Sequence, residues 1–231
     1  MREIVLDTET TGLDPAEGHR VVEIGAVELV NHVPTGRTFH EYLDPQRPMP
    51  PEALAVHGLT DGFLRGKPTF RAVAARLLDF LGDAPLVIHN AAFDLKFLNA
   101  ELAQAGLPAL PAARAVDTVQ IARARFPGAS ASLDALCRRF GVDNSGRSRH
   151  GALLDSEILA EVYLELIGGR QPGLVLGHDD PRPRRTEEGP AAGRARPRPV
   201  PLPPRITPEE EAAHAAFVAG LGPAAVWLRR A

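Results

Sequence analysis

Two acidic residues, Asp7 and Glu9, stand one residue apart directly after a short apolar run. On a β-strand, residues two apart project to the same side, so we expect both carboxylates on one face. Two close carboxylates repel each other, and one takes up a proton unless a cation lies between them. Oxygen ligands of this kind suit Mg²⁺ or Mn²⁺. Taken alone, the pair is more typical of a solvated turn at a strand end.

Three further residues extend this candidate site. In "IHNAAFDLKFL", Asp94 begins a predicted helix directly after a buried strand, where an acid also fits as a partner of the helix dipole. In "RHGALLDSEIL", Gly151 separates His150 from a predicted helix that carries Asp155. That helix is otherwise apolar, so burying Asp155 is costly without a cation or a hydrogen-bond partner. Alone, His150 also fits an ordinary surface residue.

Four acids and a histidine together indicate metal-assisted phosphodiester chemistry. Two metal ions about 4 Å apart can bind the attacking and the leaving oxygen of a phosphoryl displacement. A histidine with a pKa near neutrality can accept the proton of the attacking water. The sequence has no P-loop, no G-x-G-x-x-G after a strand, no cysteine–histidine zinc spacing and no G-x-S-x-G elbow.

The elements that must position these residues predict an α/β fold with a mixed sheet. A short connection containing Asn31, Pro34 and Gly36 favours a hairpin between the second and third strands. Strand–helix alternation follows it along the chain. The predicted strands are residues 4–6, 20–30, 36–45, 84–90 and 113–118, and the predicted helices are residues 69–82, 91–106, 118–126, 132–140 and 152–167.

Composition limits the alternatives. The 231 residues (24.8 kDa) are enough for one domain and additional segments. A net charge of -3 and a pI near 6.2 argue against broad, non-specific coating of duplex DNA. The single cysteine, Cys137, excludes an intrachain disulfide and is expected to be a packed core thiol. Because the sequence shows no membrane span and no signal peptide, we expect a cytoplasmic protein.

The composition changes after residue 168. Residues 179–204 are rich in Pro, Arg and Gly, which is typical of a flexible linker. Thr207 as N-cap, Pro208 and three glutamates then predict a short helix. Its apolar side chains have no core of their own and need a partner. We expect a catalytic domain at residues 1–168, a linker at residues 169–205 and a helical tail at residues 206–231.

Three segments together resemble the motifs of the DnaQ-like DEDDh 3′–5′ exonucleases. These are "VLDTETTGL", "IHNAAFDLKFL" and "HGALLDSEILAEVYL", in that order and with the H-x₄-D spacing of the histidine subgroup. The resemblance spans about residues 2–168. Residues 50–70 add a likeness to the branch of this family that proofreads for bacterial replicative DNA polymerases. The family implies a ribonuclease-H-like fold, with a mixed five-stranded sheet flanked by helices.

The resemblance also implies roles for individual residues. The expected ligands of two divalent metal ions are Asp7, Glu9, Asp94 and Asp155, and the expected general base is His150. Glu52 and His57 would line the pocket of the 3′-terminal nucleotide, although a surface acid and a capping histidine in a loop rich in Pro and Gly fit as well. Leu13 and Phe93 could separate or stack bases, or belong to the core. Other expected substrate contacts are Asp7, Thr8, Glu9, Thr10, Asn90 and Asp155.

Two C-terminal features imply partners besides the single-stranded 3′ end of DNA. "QPGLVLG", with Gln171, Leu174 and Leu176, resembles the peptide by which replication proteins bind the sliding clamp, and a plain linker is the alternative. In this family the tail tethers the exonuclease to the polymerase catalytic (alpha) subunit. The candidate anchors of the tail are Phe217, Val218, Leu221, Val226 and Trp227.

Two other functions fit part of the sequence. A DEDDh RNA exonuclease of the oligoribonuclease type would share the catalytic residues but has no reason for a Pro/Arg-rich linker and an apolar tail. A non-catalytic bridge between clamp and polymerase would keep the tail but has no reason to retain all five catalytic positions.

Overall fold

The computed structural model describes residues 1–147, 149–169 and 206–221. One five-stranded mixed sheet forms the centre of the fold, in the order β3-β2-β1-β4-β5. The β1–β2 and β2–β3 pairs are antiparallel, and the β1–β4 and β4–β5 pairs are parallel. The predicted mixed sheet is therefore confirmed. The strands are β1 (Arg2–Thr10), β2 (Val21–Val30), β3 (Val33–Tyr42), β4 (Leu86–Ile88) and β5 (Ala115–Asp117).

Helices cover both faces of the sheet. Alternating β1 residues supply the two cores, because Ile4 and Leu6 pack with α3 and α4 while Val5 packs with α5, α6 and α7. The predicted helices from residue 69 to residue 167 are confirmed to within two residues. The helices are α1 (Pro51–His57), α2 (Asp61–Leu64), α3 (Phe70–Leu81), α4 (Ala91–Ala105), α5 (Thr118–Arg125), α6 (Leu133–Phe140) and α7 (Ala152–Leu166), and α8 (Pro208–Gly220) belongs to a separate unit.

Strand β1 is longer than predicted. The expected end at residue 6 was wrong, because the ladder to β2 continues and pairs Asp7 with Gly25 and Glu9 with Glu23. A register shift between Glu9 and Thr10 marks the end of regular pairing. The two acids are therefore held by strand backbone rather than by a turn.

The β2–β3 hairpin turns earlier than predicted. Val30 pairs with Val33, so the loop consists of Asn31 and His32, which have positive φ angles of 52° and 65°. A two-residue loop with both φ angles positive matches the twist of the flanking strands. The predicted start of β3 at residue 36 was wrong, and the turn signals at residues 34 and 36 fall inside the strand.

Residues 50–70, expected to be a loop, contain helices α1 and α2. Pro51 occupies the first helical position of α1, where the missing N–H has no cost. Gly58 ends the helix in the left-handed region, with φ of 76°. Glu52 and His57 therefore lie on a helix, in its first and last turns, and the loop prediction was wrong.

Helix α7 crosses β2 at very short distance. A Cβ atom added to Gly25 would lie 2.2 Å from the backbone carbon of Ala152. The Ser156 hydroxyl donates a 3.0 Å hydrogen bond to the Gly25 carbonyl. Because Gly25 is the ladder partner of Asp7, this contact holds the first turn of α7, with Asp155, against the central strand.

Two other sequence predictions are confirmed. Cys137 is a buried free thiol on α6. Helix α8 starts with a capping box, in which the Thr207 hydroxyl accepts from Glu210 N and the Glu210 side chain accepts from Thr207 N. Among the described residues, no helix is long and apolar enough to cross a membrane. Gln171, Leu174, Leu176, Val226 and Trp227 lie outside the described residues.

Candidate active site

The five predicted catalytic residues converge at one end of the sheet. Asp7 and Glu9 come from β1, Asp94 from the first turn of α4, and Asp155 from the first turn of α7. His150 precedes α7. Glu9, His150 and Asp155 each present one possible ligand atom, and these atoms all lie within 4.8 Å of one another. Asp94 and Asp155 are almost fully buried, with 2% and 4% of their surface exposed.

The acids share a strongly unfavourable environment for negative charge. Burial, followed by the charges of Asp94, Glu9 and Asp155, raises the pKa of Asp7 well above its ordinary value. Burial and the charge of Asp155 raise the pKa of Glu9 to about 8. Burial raises the pKa of Asp94 to about 7, although the Thr8 hydroxyl opposes this with a 2.7 Å hydrogen bond. Carboxylate oxygens this close together fit hard divalent cations, which would remove the repulsion.

Asp155 differs from the other three acids because it is hydrogen-bonded to the positively charged side chain of Arg147. Burial raises its pKa, but hydrogen bonds from Arg147 and His150 outweigh burial and bring the pKa below its ordinary value. Arg147 was not identified from the sequence. Its only sequence signal is a basic residue three positions before the candidate base, and nothing local indicates that it points inward.

His150 lies at the open side of the site. Its Nδ1 is 3.3 Å from Asp155 Oδ2, and 48% of its side chain is exposed. Its backbone N–H donates a 3.3 Å hydrogen bond to the carbonyl of Val56 on α1. The candidate base is therefore solvent-accessible, next to a candidate metal-ligating carboxylate and hydrogen-bonded to the helix that carries Glu52 and His57.

A cleft of about 430 Å³ begins at Glu9 and passes between β1 and α1. Its walls include most of the predicted nucleotide contacts. Leu13 projects from one side with 81% of its surface exposed. Phe93 is half-buried and also packs against Phe97, so it serves both the core and the cleft. The predicted residues that line the cleft are Thr8, Glu9, Thr10, Leu13, Glu52, His57 and Phe93.

His57 has an unusual hydrogen-bonding state. The ring is 5% exposed, and Nδ1 accepts a 3.0 Å hydrogen bond from Leu59 N. The proton of the neutral ring must then be on Nε2, which is buried and has no hydrogen-bond partner among the described residues. Burial also lowers the pKa of His57. The Thr10 carbonyl opposes this effect by favouring the protonated ring, yet Nε2–H makes no well-formed hydrogen bond with it. A ligand in the cleft would supply a better acceptor.

Other predicted contacts are placed differently. The Thr8 and Thr10 hydroxyls donate to Asp94 and to the Gly12 carbonyl, so their protons are used within the protein. Asn90 caps α4 in the left-handed region, with φ of 68°, and is outside the described lining of the cleft.

The loop between β1 and β2 is held by residues that the sequence did not single out. The Thr11 hydroxyl lies 3.1 Å from His19 Nδ1 and accepts from Arg20 N. The His19 ring covers Gly12 so closely that a Cβ there would lie 2.3 Å from it. Arg20 also forms a two-pronged ion pair with buried Glu101 of α4, at 2.7 Å for each hydrogen bond. These contacts fix the loop that presents Leu13 to the cleft.

Comparisons with known proteins agree with this geometry. The family model described as Exonuclease matches residues 4–163. The chain belongs to this exonuclease family. DNA polymerase III subunit epsilon of Rickettsia felis is 55% identical over 179 residues, covering 76% of this chain and 78% of that protein. The same subunit of Escherichia coli K12 is 52% identical over 176 residues, covering 73% and 72%.

A solved structure of exonuclease X in complex with 5′-overhanging duplex DNA matches the exonuclease with a TM-score of 0.57 and 26% identity, over 71% of this chain and 90% of that one. Exonucleases of this family depend on divalent metal ions, which fits the four carboxylates of the site. The resemblance of the three sequence motifs to the DnaQ-like exonucleases is therefore confirmed.

Proposed function

We propose that this exonuclease is the proofreading subunit of a bacterial replicative DNA polymerase and removes mismatched nucleotides from the 3′ end of DNA. The observation that carries the proposal is the junction of the acidic cluster with the nucleotide-sized cleft at Glu9. A 3′-terminal nucleotide in the cleft would place its phosphodiester at the acids. The relatives named above are subunits of a DNA polymerase, which favours DNA over an RNA substrate.

The metal ligands in this proposal are Asp7, Glu9, Asp94 and Asp155, and the ions are Mg²⁺ or Mn²⁺. When bound, two such ions stabilise the negative charge on the attacking and leaving oxygens of the phosphodiester. The raised pKa values of Asp7, Glu9 and Asp94 support this assignment, because a cation is what would let the buried carboxylates ionise together.

His150 serves as general base. It is close to Asp155 and exposed on the side from which water can approach. Its proton acceptor is a ring nitrogen, and the neighbouring carboxylate stabilises the imidazolium that forms. The hydrogen bond to Val56 keeps it beside α1 as the substrate enters.

The cleft selects a frayed single strand. His57 Nε2–H donates to a phosphate or hydroxyl of the terminal nucleotide, and Glu52 accepts from a sugar hydroxyl. Leu13, exposed on the opposite wall, contacts the base. A mismatched end unpairs at lower cost than a matched end, and this difference favours removal of errors.

The C-terminal segment would recruit the partners. Phe217 on α8 is 64% exposed, as expected for an anchor that is buried only in a complex with the polymerase catalytic subunit. The clamp-binding role of Gln171, Leu174 and Leu176 rests on the sequence resemblance alone. The division of the chain into a catalytic domain (1–168), a linker (169–205) and a helical tail (206–231) likewise rests on the sequence.

The test compares the full-length chain on a primer with a mismatched 3′ end, on the matched primer and on a short RNA. Faster removal of the mismatched DNA nucleotide is expected, and faster RNA degradation would refute the proposal. Asp7→Ala should abolish hydrolysis yet retain binding to the polymerase catalytic subunit, whereas Asp83→Ala, an exposed acid after α3, should act as wild type. Full activity of Asp7→Ala would refute the site.

A further inference from the structure

Arg147 donates hydrogen bonds to both carboxylate oxygens of Asp155, one of the proposed metal ligands. Its Nε lies 2.5 Å from Asp155 Oδ1 and its Nη2 lies 2.7 Å from Asp155 Oδ2. The third nitrogen, Nη1, lies 2.7 Å from Asp134 Oδ1 at the start of α6. Only 8% of the Arg147 side chain is exposed. This is the two-pronged guanidinium–carboxylate geometry, the strongest form of this ion pair.

The same guanidinium contacts the candidate base. Arg147 Nη2 is 2.8 Å from His150 Nδ1 and donates to it when Nδ1 carries no proton, whereas a protonated Nδ1 donates to Asp155 instead. One side chain therefore fixes the positions of a metal ligand and of the base, which otherwise lies on an exposed segment. The positive charge also acts on Asp7 and Glu9, whose pKa values it lowers against the effects of burial and repulsion.

Arg147 takes one lone pair of each Asp155 oxygen and neutralises the carboxylate, so a divalent ion must compete with the positive guanidinium for its charge. A divalent ion has the larger charge, and three further carboxylates attract it. Asp134 lies on the other side of the guanidinium and keeps one hydrogen bond to Arg147 if Asp155 is withdrawn. Arg147 thus has a second anchor, which allows it to give up Asp155 without losing every partner.

We propose that Arg147 is the resident counter-ion of the metal-free site: it holds Asp155 and His150 in place and gives up Asp155 when a divalent ion binds. The inference rests on the proposed metal site. Arg147 is a positioning residue in this account, because it acts through Asp155 and His150. It predicts that removing the guanidinium fork makes metal binding tighter and makes the metal-free protein less stable.

The decisive measurement is the affinity of the full-length protein for Mn²⁺, by calorimetry and by electron paramagnetic resonance. Arg147→Gln removes both charge and fork, and Arg147→Lys keeps the charge but loses the fork. Both variants should bind Mn²⁺ more tightly than wild type, Arg147→Gln by on the order of tenfold and Arg147→Lys by less. Arg125→Gln is the matched control, because Arg125 bonds to carbonyls at the far end of α7 and should leave the affinity unchanged.

Stability gives a second readout. Both Arg147 variants should melt at a lower temperature than wild type in EDTA, because buried Asp155 loses its partner, and should regain most of the difference in saturating Mn²⁺. A variant that failed to fold would be recognised by circular dichroism, and Arg147→Lys would then carry the test.

The outcomes separate the hypotheses. Unchanged or weaker Mn²⁺ binding in both variants overturns the inference. Tighter binding in Arg147→Gln alone also overturns it, since charge rather than the fork would be responsible. If wild type and variants alike bind no Mn²⁺, the metal site of the proposed function fails instead. In wild type, the Arg147 Nε–H resonance should shift as Mg²⁺ is added, and a resonance unaffected by saturating Mg²⁺ contradicts displacement.

Discussion

The hydroxyl of Thr8 donates a 2.7 Å hydrogen bond to Oδ1 of Asp94 and thereby joins the central strand to the first turn of α4. Both residues are buried. The bond favours the ionised form of Asp94 and opposes the larger effect of burial on its pKa. Thr8, which lies between Asp7 and Glu9, therefore favours the negative charge of a third acid of the site.

Thr8→Val keeps the shape of the side chain and removes this hydrogen bond. We expect the pKa of Asp94 to rise further above about 7, and the free energy of unfolding to fall by about 1–3 kcal/mol. Mn²⁺ binding should weaken at pH 6.5, where the proton competes with the ion, and approach wild type at pH 8.5. Titrations at both pH values check this. Thr38→Val, an exposed threonine on β3, is the control, and an equal loss at both pH values would contradict the mechanism.

The stability of the metal-free protein should fall as the pH rises from 6.5 to 8.5. The pKa of Glu9 is raised to about 8 and that of Asp94 to about 7, so the folded state retains protons that the unfolded chain has released. Folding then becomes less favourable with pH, by on the order of a few kcal/mol. The lowered pKa values of His57 and His89 make stability rise with pH instead, but only below pH 6.5, the ordinary pKa of histidine.

Denaturation in EDTA and in saturating Mg²⁺ would test this linkage. Bound cations let the acids ionise, so Mg²⁺ should remove most of the pH dependence above pH 6.5. Glu9→Gln should reduce the slope in EDTA, because it removes one titrating group. Stability in EDTA that rises between pH 6.5 and pH 8.5 would show that the acids are not repelling each other.

The sequence is informative where chemistry depends on residue order. The five candidate catalytic residues were predictable because each motif combines the acid or histidine with the end of an apolar strand or the start of an apolar helix. The full length of β1 was not predictable, because the partners of Asp7 and Glu9 on β2 lie 18 and 14 residues further along the chain. A local apolar run cannot show where a ladder stops.

The other features that were not predicted from the sequence have different physical reasons. Pro51 at the first helical position was a readable helix signal, hidden among the turn residues around it. At the hairpin, Asn31, Pro34 and Gly36 are all turn formers, and only the pairing of Val30 with Val33 decides between them. The inward path of Arg147 depends on tertiary packing, which no local pattern encodes.

His57 should contribute to substrate affinity more than to the chemical step. Its Nε2–H makes no well-formed hydrogen bond among the described residues, so a bound nucleotide would offer a better acceptor than the Thr10 carbonyl. We expect His57→Ala to raise KM by about tenfold or more with a smaller effect on kcat. Steady-state kinetics on a single-stranded DNA substrate measures both. His214→Ala, at an exposed position on α8, is the control, and a loss confined to kcat would assign His57 to the reaction itself.

Gly25→Ala should damage the site from a distance. The added Cβ would lie about 2.2 Å from backbone atoms of Ala152 and Leu153, which cannot move without the helix. Helix α7 would shift away from β1 and carry Asp155 with it. We expect a loss of about 1–3 kcal/mol or more in the free energy of unfolding, from urea denaturation. Exonuclease activity should fall more than the folded fraction explains, because Asp155 would move away from Asp7 and Glu9.

Gly62→Ala is the matched control for this substitution. Its Cβ would lie 3.9 Å from the nearest atom, and alanine is the better helix former within α2, so stability should be unchanged or slightly higher.

A second variant, on helix α7, tests whether the close backbone approach at Gly25 is what holds the helix in place. Ser156→Ala removes only the 3.0 Å hydrogen bond to the Gly25 carbonyl and should cost less than Gly25→Ala. Equal losses in the two variants would show that the hydrogen bond, rather than the close approach, holds Asp155 against the central strand.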